Sequence, residues 1–182
     1  MTETVRPLSG HGAETPEEAL LRLMCAWEVP IRRMCCVYLR DEEMARDATQ
    51  ETFLKAYRRM AQFRGESSEQ TWLMRIAINT CRDMRKGAWY RFVDRRVTLE
   101  KLPEPVSDAS WERTDLTLDV MKLPPKLLDA VLLHFYQGMT VREVGEALGV
   151  PYQTVTSRLK AACRKLRVQM EEGGARNDAA QT

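Results

Sequence analysis

Several residue types that would indicate other functions are scarce in this sequence of 182 residues. The two histidines, His11 and His134, lie far apart, and the five cysteines include no CxxC pair. An odd cysteine count with this spacing argues against a disulfide framework and a zinc site. Aromatic residues make up only 7% of the chain. No apolar run is long enough to cross a bilayer.

These absences narrow the expected class of protein. The first residues lack the apolar segment of a signal peptide, so we expect a cytoplasmic protein with reduced cysteines. Asp47 and Glu51 form a carboxylate pair at helical spacing, but no histidine or nucleophile accompanies them. We therefore predict a protein that is not an enzyme, has no catalytic residues and needs no metal or cofactor.

Charge is unevenly distributed, although the formal net charge is only +2. Residues 64–96 contain eight basic and four acidic residues, whereas residues 99–119 contain six acidic and two basic ones. Basic residues recur near the C-terminus, where residues 158–167 carry no acid. Two basic regions therefore flank an acidic one, and the C-terminal basic run adds attraction for phosphates.

Apolar periodicity of three and four residues predicts an all-helical chain, and no strand alternation is present. Thr15 with Glu18 is a capping box that starts a helix, which we expect Pro30 to interrupt. Helices are predicted over residues 41–63, 70–86 and 111–123, followed by an apolar helix that ends at Gly138. We expect two small helical domains, residues 16–92 and 111–172, joined by a flexible acidic linker at 93–110, with tails at 1–15 and 173–182.

The run TVREVGEALGVPYQTVTSRLKAACRKLR, residues 140–167, has the pattern of a helix-turn-helix. Thr140 and Glu143 form a capping box, Gly149 supplies the turn, and Gly145 is small where the two helices would cross. Polar and basic residues remain on the outer face of the second helix, as in a helix that enters a major groove. An ordinary helical hairpin with a solvated basic face is the alternative interpretation.

Residues 44–85 resemble the second conserved region of extracytoplasmic-function sigma factors, and residues 123–167 resemble their fourth region. The two matches occur in the right order with a linker between them. The resemblance implies a subunit that binds core RNA polymerase, directs it to promoters and helps to melt them. It also implies an anti-sigma factor as a partner. A stand-alone dimeric helix-turn-helix regulator is the alternative.

The resemblance also assigns roles to individual residues. It places polymerase binding, on the clamp coiled coil of the largest subunit, at Asp47, Gln50, Glu51, Phe53, Leu54 and Tyr57. Phe53 and Tyr57 are equally well explained as core residues of the domain.

For the minus-ten promoter element, the resemblance implies that the loop at residues 65–70 and Asn79 form a pocket for a flipped base. Basic side chains around this pocket would hold the backbone of the unpaired strand. The full minus-ten set is Arg64, Arg75, Asn79, Arg82, Asp83, Arg85 and Lys86. Trp72 is better explained as a core residue than as a stacking platform, because it shares a stripe with Leu73 and Ile76.

For the minus-thirty-five element, the resemblance implies Gln153, Thr154, Thr156, Ser157, Arg158, Lys160 and Arg164. The sequence departs from the family pattern at Gln153, Thr156, Ala161 and Cys163, where a glycine and three basic residues are usual. We therefore expect fewer contacts with phosphates or bases, so that either the promoter preference differs or affinity depends more on Lys160, Arg164 and the polymerase itself.

Overall fold

A computed structural model describes residues 14–87 and 115–179 of the chain. These residues are helical or in short connections with no strand among them, which confirms the all-helical prediction. The chain divides into two compact units, Met1–Val97 and Thr98–Thr182. The predicted acidic linker, residues 93–110, and most of the predicted N-terminal tail lie outside the described residues.

The first unit contains α1 (Pro16–Leu39), α2 (Glu42–Arg59) with a 3-10 turn at Met60–Gln62, and α3 (Glu69–Lys86). Each helix begins at a side-chain cap, because the first backbone N–H groups of a helix have no partner within it. Thr15 and Glu18 form the predicted capping box of α1. Asp41 accepts from the backbone of Met44, and Ser68 accepts from that of Thr71. α1 packs on both α2 and α3.

The prediction that Pro30 interrupts the first helix is wrong, because α1 runs through it without a break. A proline inside a helix removes one backbone hydrogen bond and costs about 3 kcal/mol. Fully buried side chains lie on both sides of Pro30, at Leu23, Ile31 and Met34. We infer that burial of this apolar surface offsets the cost.

Three buried cysteines belong to the core of the first unit. Cys35 on α1 and Cys81 on α3 are fully buried, and their Sγ atoms are 3.3 Å apart. Burial raises the pKa of the neighbouring Cys36 thiol to about 12. A buried thiol that keeps its proton is a poor nucleophile, so Cys36 behaves as a small apolar core residue.

The second unit contains α4 (Asp115–Met121), α5 (Pro125–Val131), a π-helical turn (Leu132–Tyr136), α6 (Val141–Leu148) and α7 (Tyr152–Ala179). α7 packs on α4, α5 and α6. The predicted apolar helix before Gly138 is thus α5 extended by a wider π turn. α7 continues to Ala179, so the segment from residue 173 that we expected to be a tail is helical up to that residue.

The helix-turn-helix prediction is confirmed in its local geometry. Thr140 and Glu143 form both hydrogen bonds of the capping box. Gly149 ends α6 in the left-handed region at φ 67°, a conformation that glycine adopts without strain. A Cβ on Gly145 would lie 2.8 Å from the carbonyl oxygen of Val150, so the turn approaches α6 too closely for any larger residue.

Within the described ranges, no helix combines the length and apolar character that a membrane span requires. The same residues contain no cluster of three side chains suited to holding a metal ion.

Candidate nucleic-acid interface

The outer face of α7 carries a stripe of polar and basic side chains. Gln153, Ser157, Lys160 and Arg164 are all exposed, and their spacing of four, three and four residues places them along one side of the helix. Val155, Leu159 and Ala162 point the opposite way into the core. We call these four exposed residues the α7 stripe. Its side chains are of the kinds that bond base edges and phosphates in a major groove.

The remaining predicted minus-thirty-five residues lie away from the α7 stripe or are engaged within the helix. Thr154 and Arg158, four residues apart, are half-buried on another side of α7. The Thr156 hydroxyl donates to the carbonyl oxygen of Tyr152 at 3.1 Å, and the hydroxyl of Ser157 in the stripe likewise donates to that of Gln153 at 2.9 Å. Tyr152 itself is 59% exposed at the first position of α7, although the predicted minus-thirty-five set does not include it. Its position as an aromatic residue directly after the turn could have indicated an exposed contact residue.

A second polar stripe lies on α3. Arg75, Asn79, Arg82 and Lys86 repeat the spacing of four, three and four residues, and Arg82 is the only half-buried member. Arg82 donates from Nη1 to the Oδ1 atom of Asn79 at 3.0 Å. This bond occupies the Oδ1 acceptor of Asn79 and leaves its NH₂ group as a donor for another partner. We call these residues the α3 stripe.

A cleft of about 320 Å³ adjoins the α3 stripe where α3 faces α2. Asn79, Thr80, Arg82, Asp83 and Lys86 line it from α3, together with Ile76, and Lys55 and Arg59 line it from α2. Lys55 donates to the Thr80 hydroxyl at 3.2 Å across the cleft. With four cations and one carboxylate among its lining residues, the cleft suits an anionic ligand that also offers a polar edge.

Two parts of the minus-ten prediction lie away from the cleft. The loop at residues 65–70 does not line the cleft at Asn79, because Gln70 and Asn79 are separated by about 13 Å along α3 at 1.5 Å per residue. Arg85 lies on another side of the helix, with its guanidinium 5.6 Å from the ring centre of the buried Tyr38. It therefore anchors α3 on α1.

Arg64 and Asp83 are both exposed, Arg64 in the loop before α3 and Asp83 beside the cleft. Lys55 and Arg59 were missed, although a basic pair four residues apart beside the apolar stripe of α2 was visible in the sequence. Trp72 contacts Phe63 with ring centres 5.0 Å apart.

A third exposed surface lies on α2. Asp47, Gln50, Leu54 and Tyr57 are exposed and Glu51 is half-buried, and their spacing puts all five on the side away from the core. We call these five residues the α2 face. Phe53 is only 4% exposed, so it is a core residue and not a docking contact, because its position in the helical repeat points it inward.

Tyr57 connects the α2 face to the beginning of α1. Its hydroxyl donates to Oε1 of Glu17 at 2.6 Å. This hydrogen bond holds the pKa of Glu17 below its ordinary value and raises the pKa of Tyr57. The ring is 39% exposed, so it remains available for contact with a partner.

The fold and these surfaces define a two-unit helical protein with a helix-turn-helix and a second basic surface. Comparison with protein families agrees, because residues 23–91 match sigma-70 region 2 and residues 120–166 match sigma-70 region 4. The RNA polymerase sigma-H factor of Pseudomonas aeruginosa is 30% identical over 136 residues, which cover 67% of this chain and 70% of the relative. The ECF RNA polymerase sigma-E factor of Haemophilus influenzae is 31% identical over 127 residues, which cover 62% of this chain and 67% of the relative.

Solved structures show the same fold. CnrH in complex with the cytosolic domain of CnrY superposes with a TM-score of 0.67 at 23% identity, covering 86% of this chain and 90% of that one. RpoE of Bartonella quintana, solved with the anti-sigma factor NepR, superposes with a TM-score of 0.67 at 20% identity. The match covers 85% of this chain and 96% of that one.

The chain belongs to the extracytoplasmic-function sigma factors of the sigma-70 family, the initiation factors that direct RNA polymerase to promoters. Membership in this family confirms the predicted class of protein. It argues against the alternative, a stand-alone dimeric helix-turn-helix regulator.

Proposed function

We propose that the three exposed surfaces divide the work of initiation. The α2 face binds core polymerase, the α3 stripe and its cleft hold the melted minus-ten strand, and the α7 stripe reads the minus-thirty-five element. The observation that carries this proposal is the separation of the surfaces: the α2 face presents carboxylates and the exposed Leu54, whereas the cleft beside α3 and the α7 stripe present basic side chains.

The α2 face suits a basic partner helix. Asp47 and Glu51 supply carboxylates one helical turn apart, and Leu54, 50% exposed, lies on the same side as an apolar anchor. An exposed leucine surrounded by charged groups is typical of a contact that becomes buried on binding. The partner by family resemblance is the clamp coiled coil of the largest polymerase subunit.

The unpaired minus-ten strand runs along α3, from the loop at residues 64–68 to the cleft. Asn79 offers its amide N–H donors to a base, and Lys55, Arg59 and Lys86 attract the phosphates. Melting costs about 1.4 kcal/mol per base-pair step, so a captured base and neutralised phosphates must compensate for it. Lys55 and Arg59 thereby join the predicted minus-ten residues.

We further propose the domain boundaries, the partner and the setting that the sequence indicated. Residues 16–92 and 111–172 act as separate binding domains joined by 93–110. Each binds weakly alone, and the polymerase holds both in register. An anti-sigma factor restrains the chain, and the structure of RpoE of Bartonella quintana with the anti-sigma factor NepR supports this. The chain acts without catalysis of its own in the cytoplasm, where the polymerase works.

The test is run-off transcription with purified core polymerase on a library of randomised promoters. We expect initiation only when this chain is present, from templates that share two short elements at a fixed spacing. The variants Asn79→Ala and Arg59→Ala should lower open-complex formation without changing core affinity. Arg46→Ala, which removes an exposed α2 charge distant from the cleft residues in sequence, is the matched control. Initiation from no template, or equal losses in all three variants, would refute the proposal.

A further inference from the structure

A partly buried ion pair joins α1 to the first residue of α3. Arg22 donates from Nη1 and Nη2 to the two carboxylate oxygens of Glu69, at 2.8 and 2.9 Å. Glu69 is only 8% exposed, which is unusual for a carboxylate. Arg22 also donates to Glu14 at 3.0 and 3.2 Å, so one guanidinium holds two carboxylates.

The geometry of this pair is directional. Two parallel N–H···O bonds from a planar guanidinium fix both the distance and the angle of the carboxylate. The bonds to Glu69 and then Glu14 raise the pKa of Arg22 above its ordinary value, so the fork stays charged at any working pH. Glu69 at the first position of α3 also faces the positive end of the helix dipole.

The pair lies at the base of the loop that precedes α3. Phe63 and Trp72 contact each other from the two sides of residues 64–68. Ser68 caps α3 through the backbone of Thr71 and shares a hydrogen bond of 2.9 Å with its hydroxyl. Gly65 inside the loop has φ 72°. The loop is thus fixed at both ends, and Glu69 directly follows it.

We propose that Arg22 and Glu69 are positioning residues for promoter melting, which hold the loop at residues 64–68 where it meets the unpaired minus-ten strand. This inference rests on the proposed function of α3 and its loop. Arg22 on α1 contacts Glu69, the residue that directly follows the loop. Arg22 lies on neither the α2 face nor the α3 stripe. Its loss should therefore change strand capture while polymerase binding is preserved.

Stability alone does not account for a pair that buries its carboxylate to this extent. Replacing both partners of a buried ion pair by apolar residues of similar size is often neutral or stabilising, whereas removing one partner leaves a buried charge. A double substitution therefore separates the positioning role of the pair from its contribution to the stability of the fold. Arg22→Met with Glu69→Met keeps apolar packing and removes the directional bonds.

The experiment uses holoenzyme assembled from the full chain and core polymerase, and a promoter selected from a randomised library. The probe is a fluorescent single-stranded oligonucleotide carrying the non-template minus-ten sequence. We expect the double variant to bind it roughly tenfold more weakly, because displaced supporting residues typically cost this much or more at a functional site. Core affinity and binding of a minus-thirty-five duplex should stay within about twofold, a difference of about 0.4 kcal/mol.

Arg142→Met with Glu146→Met is the matched control, because it removes an exposed ion pair in the other unit. It should leave oligonucleotide binding unchanged. Arg22→Lys keeps the charge but not the fork, so we expect an intermediate loss, and this variant carries the test if the double variant unfolds.

Oligonucleotide binding equal to the parent in both Arg22 variants would overturn the inference, and so would a parallel loss of core affinity. Failure of the parent holoenzyme to bind the oligonucleotide would instead refute the proposed function.

Discussion

The substitution Gly145→Ala tests the closest approach in the helix-turn-helix. The added Cβ would lie 2.8 Å from the backbone oxygen of Val150, and ordinary contact begins at 3.4 Å. That oxygen must therefore retreat by about 0.6 Å. It belongs to the short turn before α7, and the Val150 amide donates to the Gly145 carbonyl at 2.9 Å. The turn has little freedom to move, so the clash strains both helices.

Two opposing effects determine how much Gly145→Ala changes the stability of the protein. Overpacking of this kind costs about 1–3 kcal/mol, whereas alanine in place of glycine gains about 0.8–1.0 kcal/mol of helix propensity. The net expectation is a loss of about 1 kcal/mol, which lowers the melting temperature of a unit of this size by roughly 4–8 °C. Minus-thirty-five binding should weaken with it, because α7 is displaced.

Calorimetry of the full chain measures the expected change, and a duplex-binding assay with holoenzyme follows the effect on recognition. Glu146→Ala, at the next and exposed position, is the control and should change stability by less than about 0.5 kcal/mol. A higher melting temperature for Gly145→Ala would show that propensity outweighs the clash. The described approach of the turn to α6 would then be wrong.

Three further predictions concern separate surfaces. Leu54→Ala should weaken core binding about tenfold, as loss of an interface anchor does, and Leu21→Ala, which removes another exposed leucine, should not. Lys160→Ala should lower the salt dependence of promoter binding by about one unit, whereas Lys165→Ala, on another side of α7, should change it less; equal slopes would contradict the stripe. Cys36 has its pKa raised from 9.0 to about 12, so the folded chain keeps a proton that the unfolded chain loses. Urea unfolding should show stability falling by up to about 1.4 kcal/mol per pH unit between these values, and Cys36→Ala should reduce that slope.

Local structure followed from short-range sequence signals. The capping boxes at Thr15 and Thr140 and the turn at Gly149 formed as predicted, because each depends on residues within one helical turn. Helical periodicity placed the stripes on α3 and α7 for the same reason. The order of two recognisable regions then indicated the family.

Tertiary structure decided what depends on contacts between helices. Pro30 lies inside a helix because burial on both sides outweighs its local preference. Arg85 anchors on Tyr38 instead of facing outward, and Lys55 joins α3 across a cleft that no local pattern reveals. The pairing of Arg22 with Glu69 spans 47 residues of sequence. Such contacts between residues distant in sequence come from packing, which periodicity within one helix does not specify.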